Sequence, residues 1–158
     1  MLTAGSRFGE KIGTVLQESL ARVGIQLIIR PLDWSLFNQL LDGRSFDAVL
    51  MGWSLPVEAD PYQVWHSSQT EKGSNFVGFA NREADLIIEE GRVTFKKEKR
   101  IQLYRRFHSI VHEEQPYTFL FVNESLIVLD KRFENVKVYP LGLNPAEWWV
   151  EEKRQLYR

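Results

Sequence analysis

Cysteine is absent from this chain. Disulfides, thiol nucleophiles and cysteine metal sites are excluded together, and the absence fits cytoplasm and periplasm equally. No stretch approaches the ~20 apolar residues that a membrane-spanning helix needs. The opening residues Met1-Leu2-Thr3-Ala4-Gly5-Ser6-Arg7 hold no apolar run of the kind found in a signal peptide, so the chain is expected to be soluble and to carry no address of its own. An excess of charge of one sign is missing too. Lys and Arg number 20 against 21 Asp and Glu, for a net charge of −1 with the signs interleaved, which excludes the electrostatic footprint of a nucleic-acid binder. No glycine pattern marks a phosphate loop or a dinucleotide fold, and no internal repeat is present.

What is there suits one well-buried core: 158 residues, 44% hydrophobic and 26% charged. Aromatics are plentiful at 13%, with five Trp; they line ligand sites or fill cores. Ile12, Val15, Leu16, Leu20 and Val23 recur at helical spacing, predicting an amphipathic helix over Arg7 to Val23. Gly24 before Ile25 suits a left-handed stop. Ile25 to Arg30 reads as a strand ended by Pro31. Asp33 is placed to cap a short helix carrying Trp34, Phe37, Leu40 and Leu41, which stops at Gly43. Ala48-Val49-Leu50-Met51 is a continuous apolar run, the pattern of a strand covered on both faces. Leu2-Thr3-Ala4 reads as the stub of a preceding strand.

Helix, strand, helix and strand with short connections predict a mainly parallel sheet flanked by helices, an α/β architecture. Residues 56 to 81 read as loop with one helical turn near Tyr62 to His66. Two helices follow. Arg82 to Arg92 turns Ala84, Ile87, Ile88 and Gly91 inward, and Glu98 to Glu114 buries Leu103, Tyr104, Phe107, Ile110 and Val111. Pro116 then breaks the pattern. Tyr117 to Val122 reads as a second apolar strand and Ser125 to Asp130 as a further short one. The tail, with Leu141-Gly142-Leu143 and Trp148-Trp149-Val150, carries large apolar groups beside few partners, which marks a contact surface.

The leading site candidate is Trp53-Ser54, where the apolar strand ends after Gly52. In open α/β sheets ligands gather outside the carboxyl ends of the strands. A Trp there offers a flat wall, and free backbone amides beside it can pair with an extended ligand; a core Trp capping the sheet fits the same pattern. Trp34 is a second, similar candidate. Asp60-Pro61 suits either an amine contact or a turn, and Asn75 between Gly73 and Gly78 suits a turn or a ligand contact. His108 and His112 stand four apart on a helix, but Ser109 occupies the place where a zinc-protease helix has Glu, so surface histidines are expected and no metal or other cofactor. Ser67, His66 and Asp60 can be written as a hydrolytic triad. No Gly-x-Ser-x-Gly elbow supports it, and no enzyme activity is expected.

Taken in order, Leu20-Ala21-Arg22-Val23-Gly24-Ile25, Leu32-Asp33-Trp34, Phe46-Asp47-Ala48 with Gly52-Trp53, and Asp60-Pro61 resemble the family 5 extracellular solute-binding proteins. The resemblance continues through Trp65-His66-Ser67, Asn75-Phe76, Asn81-Arg82-Glu83-Ala84-Asp85, Arg100-Ile101-Gln102-Leu103-Tyr104 and Gln115-Pro116-Tyr117. Gly52-Trp53-Ser54-Leu55 and Trp65-His66-Ser67-Ser68 look most like its AppA-like branch. These are the peptide-binding components of bacterial ABC importers, two lobes of a type II periplasmic-binding fold joined by a hinge. The resemblance implies that this chain matches only the C-terminal portion. Residues 1–123 would form one α/β lobe, and residues 124–158 would return across the hinge to pack on an N-terminal lobe absent here. It implies peptide or another small solute as ligand, ABC permease subunits as partners, and a periplasmic or cell-surface lipoprotein location for the whole receptor. Trp34, Trp53, Ser54, Leu55 and Asn75 would be ligand-binding, with Asp60 and Glu58 as weaker candidates. Peptide receptors of the family place an Asp three positions after the Trp to receive the ligand's amino terminus; Pro56 stands there in this chain. The alternative expectation is a stand-alone module that forms a homodimer through its apolar tail.

Overall fold

Three residues at the start of the chain form the centre of the sheet. The computed structural model describes residues 1–54, 60–122, 124 and 126–156. In it β1 (Leu2–Ala4) lies between β2 (Arg30–Leu32) and β3 (Val49–Leu50), all parallel. Leu2 faces Arg30 on one side and Val49 on the other; Thr3 faces Pro31 and Leu50. The ladder is extended by Met1 N–H to Ile28 at 2.7 Å, Arg30 N–H to Met1 at 2.9 Å and Leu2 N–H to Ala48 at 2.8 Å. Leu2 and Thr3 are 3% and 2% exposed, so the stub read from the sequence is the buried strand. It brings the αβ segments that follow it onto one core, in which Leu2, Phe37 and Leu41 are buried and Phe46, Val49, Met51 and Phe76 pack around them.

Local chemistry sets the helix ends. In α1 (Arg7–Ala21) the Ser6 hydroxyl accepts from Gly9 N–H at 3.1 Å, supplying a first-turn donor with its partner. Gly24 at φ 80° turns the chain out of the helix while Ile25 N–H bonds back to Leu20. In α2 (Trp34–Asp42) the Asp33 carboxylate accepts from the N–H groups of Ser35 and Leu36, each at 3.0 Å, and Gly43 closes the helix. A single turn, α3 (Tyr62–Trp65), stands where one was expected.

The second core lies between α4 (Arg82–Val93) and α5 (Lys97–Glu114). Ala84, Ile87, Ile88 and Gly91 all face inward, as their spacing required, against Phe107, Ile110 and Val111. The helices run antiparallel. Asn81 caps α4 and its amide donates to Glu114 at the far end of α5. Arg106 grips Glu83 through two bonds of 2.6 and 2.9 Å. That pairing holds the Glu83 carboxyl below its usual range. A Cβ at Gly91 would lie 2.7 Å from the Tyr104 ring, so glycine sets how near the two helices come.

Several expectations are corrected. The strand predicted over Ile25 to Arg30 is instead Arg30–Leu32, with Pro31 inside it; among the described residues β1 is its one neighbour, and an edge strand tolerates the missing N–H. The strand predicted over Ala48 to Met51 is reduced to Val49–Leu50, which is half-buried rather than covered on both faces. Val15 and Val23, predicted to face inward, are exposed; Gly9 and Gly13 are the buried positions of α1. Tyr117 to Val122 is not a strand, nor are residues 126 to 130; Ser125 lies outside the described residues. A strand is defined by its pairing in a sheet, and no sheet among the described residues includes these segments.

The chain divides into two compact units near Thr118. In the second, β4 (Val138–Tyr139) and β5 (Gly142–Leu143) form a hairpin closed by Gly142 at φ 105°. Glu134 pairs with Trp149 through both backbone groups, Arg154 donates to Glu134 at 2.7 Å, and Phe133 packs on Trp148.

Ile88 is fully buried between α4 and α5 whereas Val93, at the end of the same helix, is 72% exposed. Ile88→Ala is expected to cost about 2–4 kcal/mol of unfolding free energy, and Val93→Ala less than about 0.5 kcal/mol. Urea denaturation of the two variants checks both.

Candidate ligand-facing site

Two exposed tryptophans stand at the margin of the sheet core, each backed by a phenylalanine of that core. Trp34, on the first turn of α2, is 68% exposed and stacks on buried Phe37 with ring centroids 5.7 Å apart. Trp53, three residues past β3, is 39% exposed and lies almost parallel to Phe76, at 6.0 Å and 6°. Phe37 and Phe76 share one hydrophobic cluster, so both indoles rest on the same support while presenting apolar surface outward. An exposed aromatic held flat on a buried one offers stacking area at little cost in side-chain entropy.

The Tyr117 ring packs on Trp65 with centroids 4.7 Å apart. Burial holds the Tyr117 phenol above the ordinary tyrosine range, and the Trp53 side chain offsets part of that rise. Ser54 follows Trp53 at the surface. Leu55 and Glu58, expected beside them, lie outside the described residues, as does Pro56.

Asn75 is 0% exposed. Its amide donates to the carbonyls of His66 at 3.2 Å and Phe79 at 2.7 Å, and its oxygen accepts from Phe79 N–H at 3.0 Å. Those bonds commit the side chain to closing a turn, and the structure does not bring it to the surface where Trp34 and Trp53 stand. Asp60 is committed as well: one oxygen accepts from Tyr62 N–H at 3.0 Å and the other pairs with Arg92 Nε at 3.1 Å, while the guanidinium sits 4.4 Å over the Tyr62 ring.

The written triad does not assemble. Ser67 donates to Asp85 at 2.5 Å rather than to His66, and His66 spends its two nitrogens on Ser68 at 2.8 Å and Glu89 at 3.3 Å. Among the described residues no three His, Cys, Asp or Glu side chains converge as a metal site would require. His112 stands near Gln115, the left-handed residue that ends α5. No helix among the described residues is long and apolar enough to cross a membrane.

Comparison with known proteins finds similarity along nearly the whole chain. The chain is 31% identical over 150 residues to the oligopeptide-binding protein AppA of Bacillus subtilis, covering 92% of this chain and 28% of that protein. It superposes on the structure of that AppA in complex with a nonapeptide with a TM-score of 0.81 at 30% identity, over 96% of this chain and 31% of the other. The resemblance to the family 5 solute-binding proteins holds. A peptide-binding protein AppA from Clostridium difficile gives a TM-score of 0.82 at 24% identity, covering 95% and 33%. The dipeptide-binding protein of Escherichia coli is 23% identical over 141 residues, 87% of this chain and 26% of that one. No family model matches the chain. The fold is thus the type II periplasmic-binding α/β architecture, and the chain spans less than a third of the length of the relatives it matches.

Phe76, Tyr117 and Arg44 were not singled out as site residues from the sequence. Phe76 carries a local signal, since an aromatic directly after a turn-forming Asn has to be housed somewhere. Tyr117 and Arg44 do not, because their partners lie far along the chain.

Replacing Asn75 by Ala removes the partner of the Phe79 N–H and of the Phe79 carbonyl, while the His66 carbonyl keeps Gln69 N–H at 3.0 Å; the change is expected to cost about 2–3 kcal/mol, read from the urea midpoint. Tyr117 gives a pH signature. Its folded-state pKa is raised by burial, so its contribution is complete below the unfolded value, about 10, and is lost as pH rises past it, because the unfolded chain deprotonates first. Tyr117→Phe should flatten the alkaline loss of stability in paired denaturation curves.

Proposed function

We propose that this chain is one lobe, with its return segment, of the substrate-binding component of an ABC importer for peptides or a similar small solute. The observation that carries the reading is the pair of exposed indoles, Trp34 and Trp53, fixed on a shared core beside the strand end, in a chain that aligns with AppA over 92% of its length. A wall of this kind binds by stacking and by pairing of the backbone near Ser54 with an extended chain. It performs no bond chemistry, and binding rather than catalysis is its role. Leu55 and Glu58 belong to the same proposed wall; Asn75 and Asp60 support it from behind through the turn and the ion pair described above. The partners that follow from this reading are the permease subunits and a first lobe, with the whole receptor in the periplasm or anchored at the cell surface as a lipoprotein.

The domain division follows from the same reading: residues 1–123 as the lobe and 124–158 as the segment that returns to the first lobe. Phe119, Phe121, Val122, Leu126, Ile127 and Val128 are all more than half exposed, with Val128 at 93%. Adjacent apolar residues exposed on alternate sides suit strands that are completed on both faces by other chain. Within the second unit the Trp148 indole nitrogen is buried with no acceptor among the described residues. A homodimer through this tail is the competing occupant of the same surface.

The test is a titration of the chain with a synthetic nonapeptide, followed by the indole resonances of its five tryptophans. Binding in the millimolar range is expected, shifting the signals of Trp34 and Trp53 and leaving Trp65 in place, since half of a cleft buries little of a ligand. The N-acetylated nonapeptide should bind equally well, because Pro56 replaces the carboxylate that would hold a free amine. A micromolar dissociation constant for the chain alone would contradict the single-wall reading. Unperturbed Trp34 and Trp53 signals at saturation would remove the indoles from the site.

A further inference from the structure

Arg44 occupies a conformation that needs explaining. It follows Gly43 at the end of α2 and has φ 51°, in the left-handed region that disfavours a branched or long side chain by a modest but real margin. Glycine would adopt that backbone freely. The arginine side chain gives up most of its freedom as well: Nη1 donates to Asp42 carbonyl at 2.8 Å, and Nη2 donates to the carbonyls of Thr70 and Gly73 at 2.8 and 2.9 Å. Its Nε is buried with no acceptor among the described residues. Two of those carbonyls lie in the turn that precedes Asn75, so the guanidinium joins the end of α2 to a segment about thirty residues further on.

Pinned in that way, the guanidinium carbon stands 5.0 Å from the centre of the Phe76 ring. Trp53 lies on Phe76 at 6.0 Å, with the two planes 6° apart. Arg44, Phe76 and Trp53 are therefore linked in series, cation to ring to ring. A cation near a π face and a flat ring stack are each weak alone, but the first sets the plane of the second. Phe76 follows Asn75 directly, and the Asn75 amide fixes the backbone on which the ring is carried.

We propose that Arg44 is a positioning residue for Trp53: through Phe76 it holds the indole in one orientation with its outer face open to ligand. This rests on the reading of Trp53 as a wall of the ligand site. Arg44 touches no ligand in this scheme; its effect is to remove rotamers that Trp53 would otherwise lose on binding, which is preorganisation.

The experiment is an indole ¹⁵N–¹H spectrum of the full chain, with the Trp53 signal assigned by Trp53→Phe. In the parent chain Trp53 should give one sharp resonance. In Arg44→Gly, whose backbone the left-handed conformation favours, that resonance is expected to broaden or move while those of Trp148 and Trp149 stay. Phe76→Leu should reproduce the change. Arg44→Lys, which keeps a charge and loses the three-carbonyl grip, should lie between. In a nonapeptide titration Arg44→Gly should bind about three- to tenfold more weakly than the parent chain. A Trp53 resonance identical in Arg44→Gly and the parent would overturn the proposal. If Arg44→Gly loses all five signals through unfolding, the same comparison with Arg44→Lys decides it, an unchanged Trp53 signal again overturning it. A Trp53 signal that moves in Arg44→Gly, in a protein whose parent chain ignores the nonapeptide, upholds the positioning role and removes the ligand-wall reading instead.

Discussion

Three hydrogen bonds from one buried amide hold this chain between its two cores. Asn75 reaches His66 and both backbone groups of Phe79. Phe79 belongs to the cluster between α4 and α5, and Phe76, one residue beyond Asn75, belongs to the cluster around the sheet. A buried polar group of this kind is stabilising only when its partners are all present. The turn from residue 66 to 79 is therefore fixed as a whole, and with it the ring beneath Trp53. Had the amide been free for ligand, as the sequence allowed, that ring would have lost the anchor of its backbone.

The helices were legible because their signals are local. Asp33 and Gly43 bracket α2, Gly24 stops α1, and the apolar spacing in α4 named all four of its buried positions in advance. Strands carry no such signal, since a strand exists only where a neighbour pairs with it. Pro31 reads as a terminator in isolation and sits inside β2 because that strand has one neighbour. Leu2–Ala4 is short enough to overlook, yet both other strands pair with it. The apolar segments after Tyr117 read as strands by propensity, and no sheet among the described residues includes them.

The candidate site was half legible for a related reason. Trp34 and Trp53 stand out as candidates by their places beside a helix cap and a strand end. What holds them does not. Phe37 is on the helix of Trp34, but Phe76 lies far from Trp53 along the chain, and Arg44 reaches its ring from the end of α2. Asp60 shows the opposite case. Its turn chemistry was visible, but only the fold could bring Arg92 to it and leave it a structural carboxylate.

Pro31 has one more consequence. In β2 the inward-facing backbone groups belong to Arg30 and Leu32, which bond to Met1 and Gly5. Residue 31 therefore directs its backbone away from β1, and it is the residue with no N–H to offer. The outer edge of β2 is blunted at its midpoint against adding another strand. Among the described residues β3 (Val49–Leu50) carries no proline, so on the flank from which Trp53 emerges its backbone keeps the N–H groups that a further strand would use.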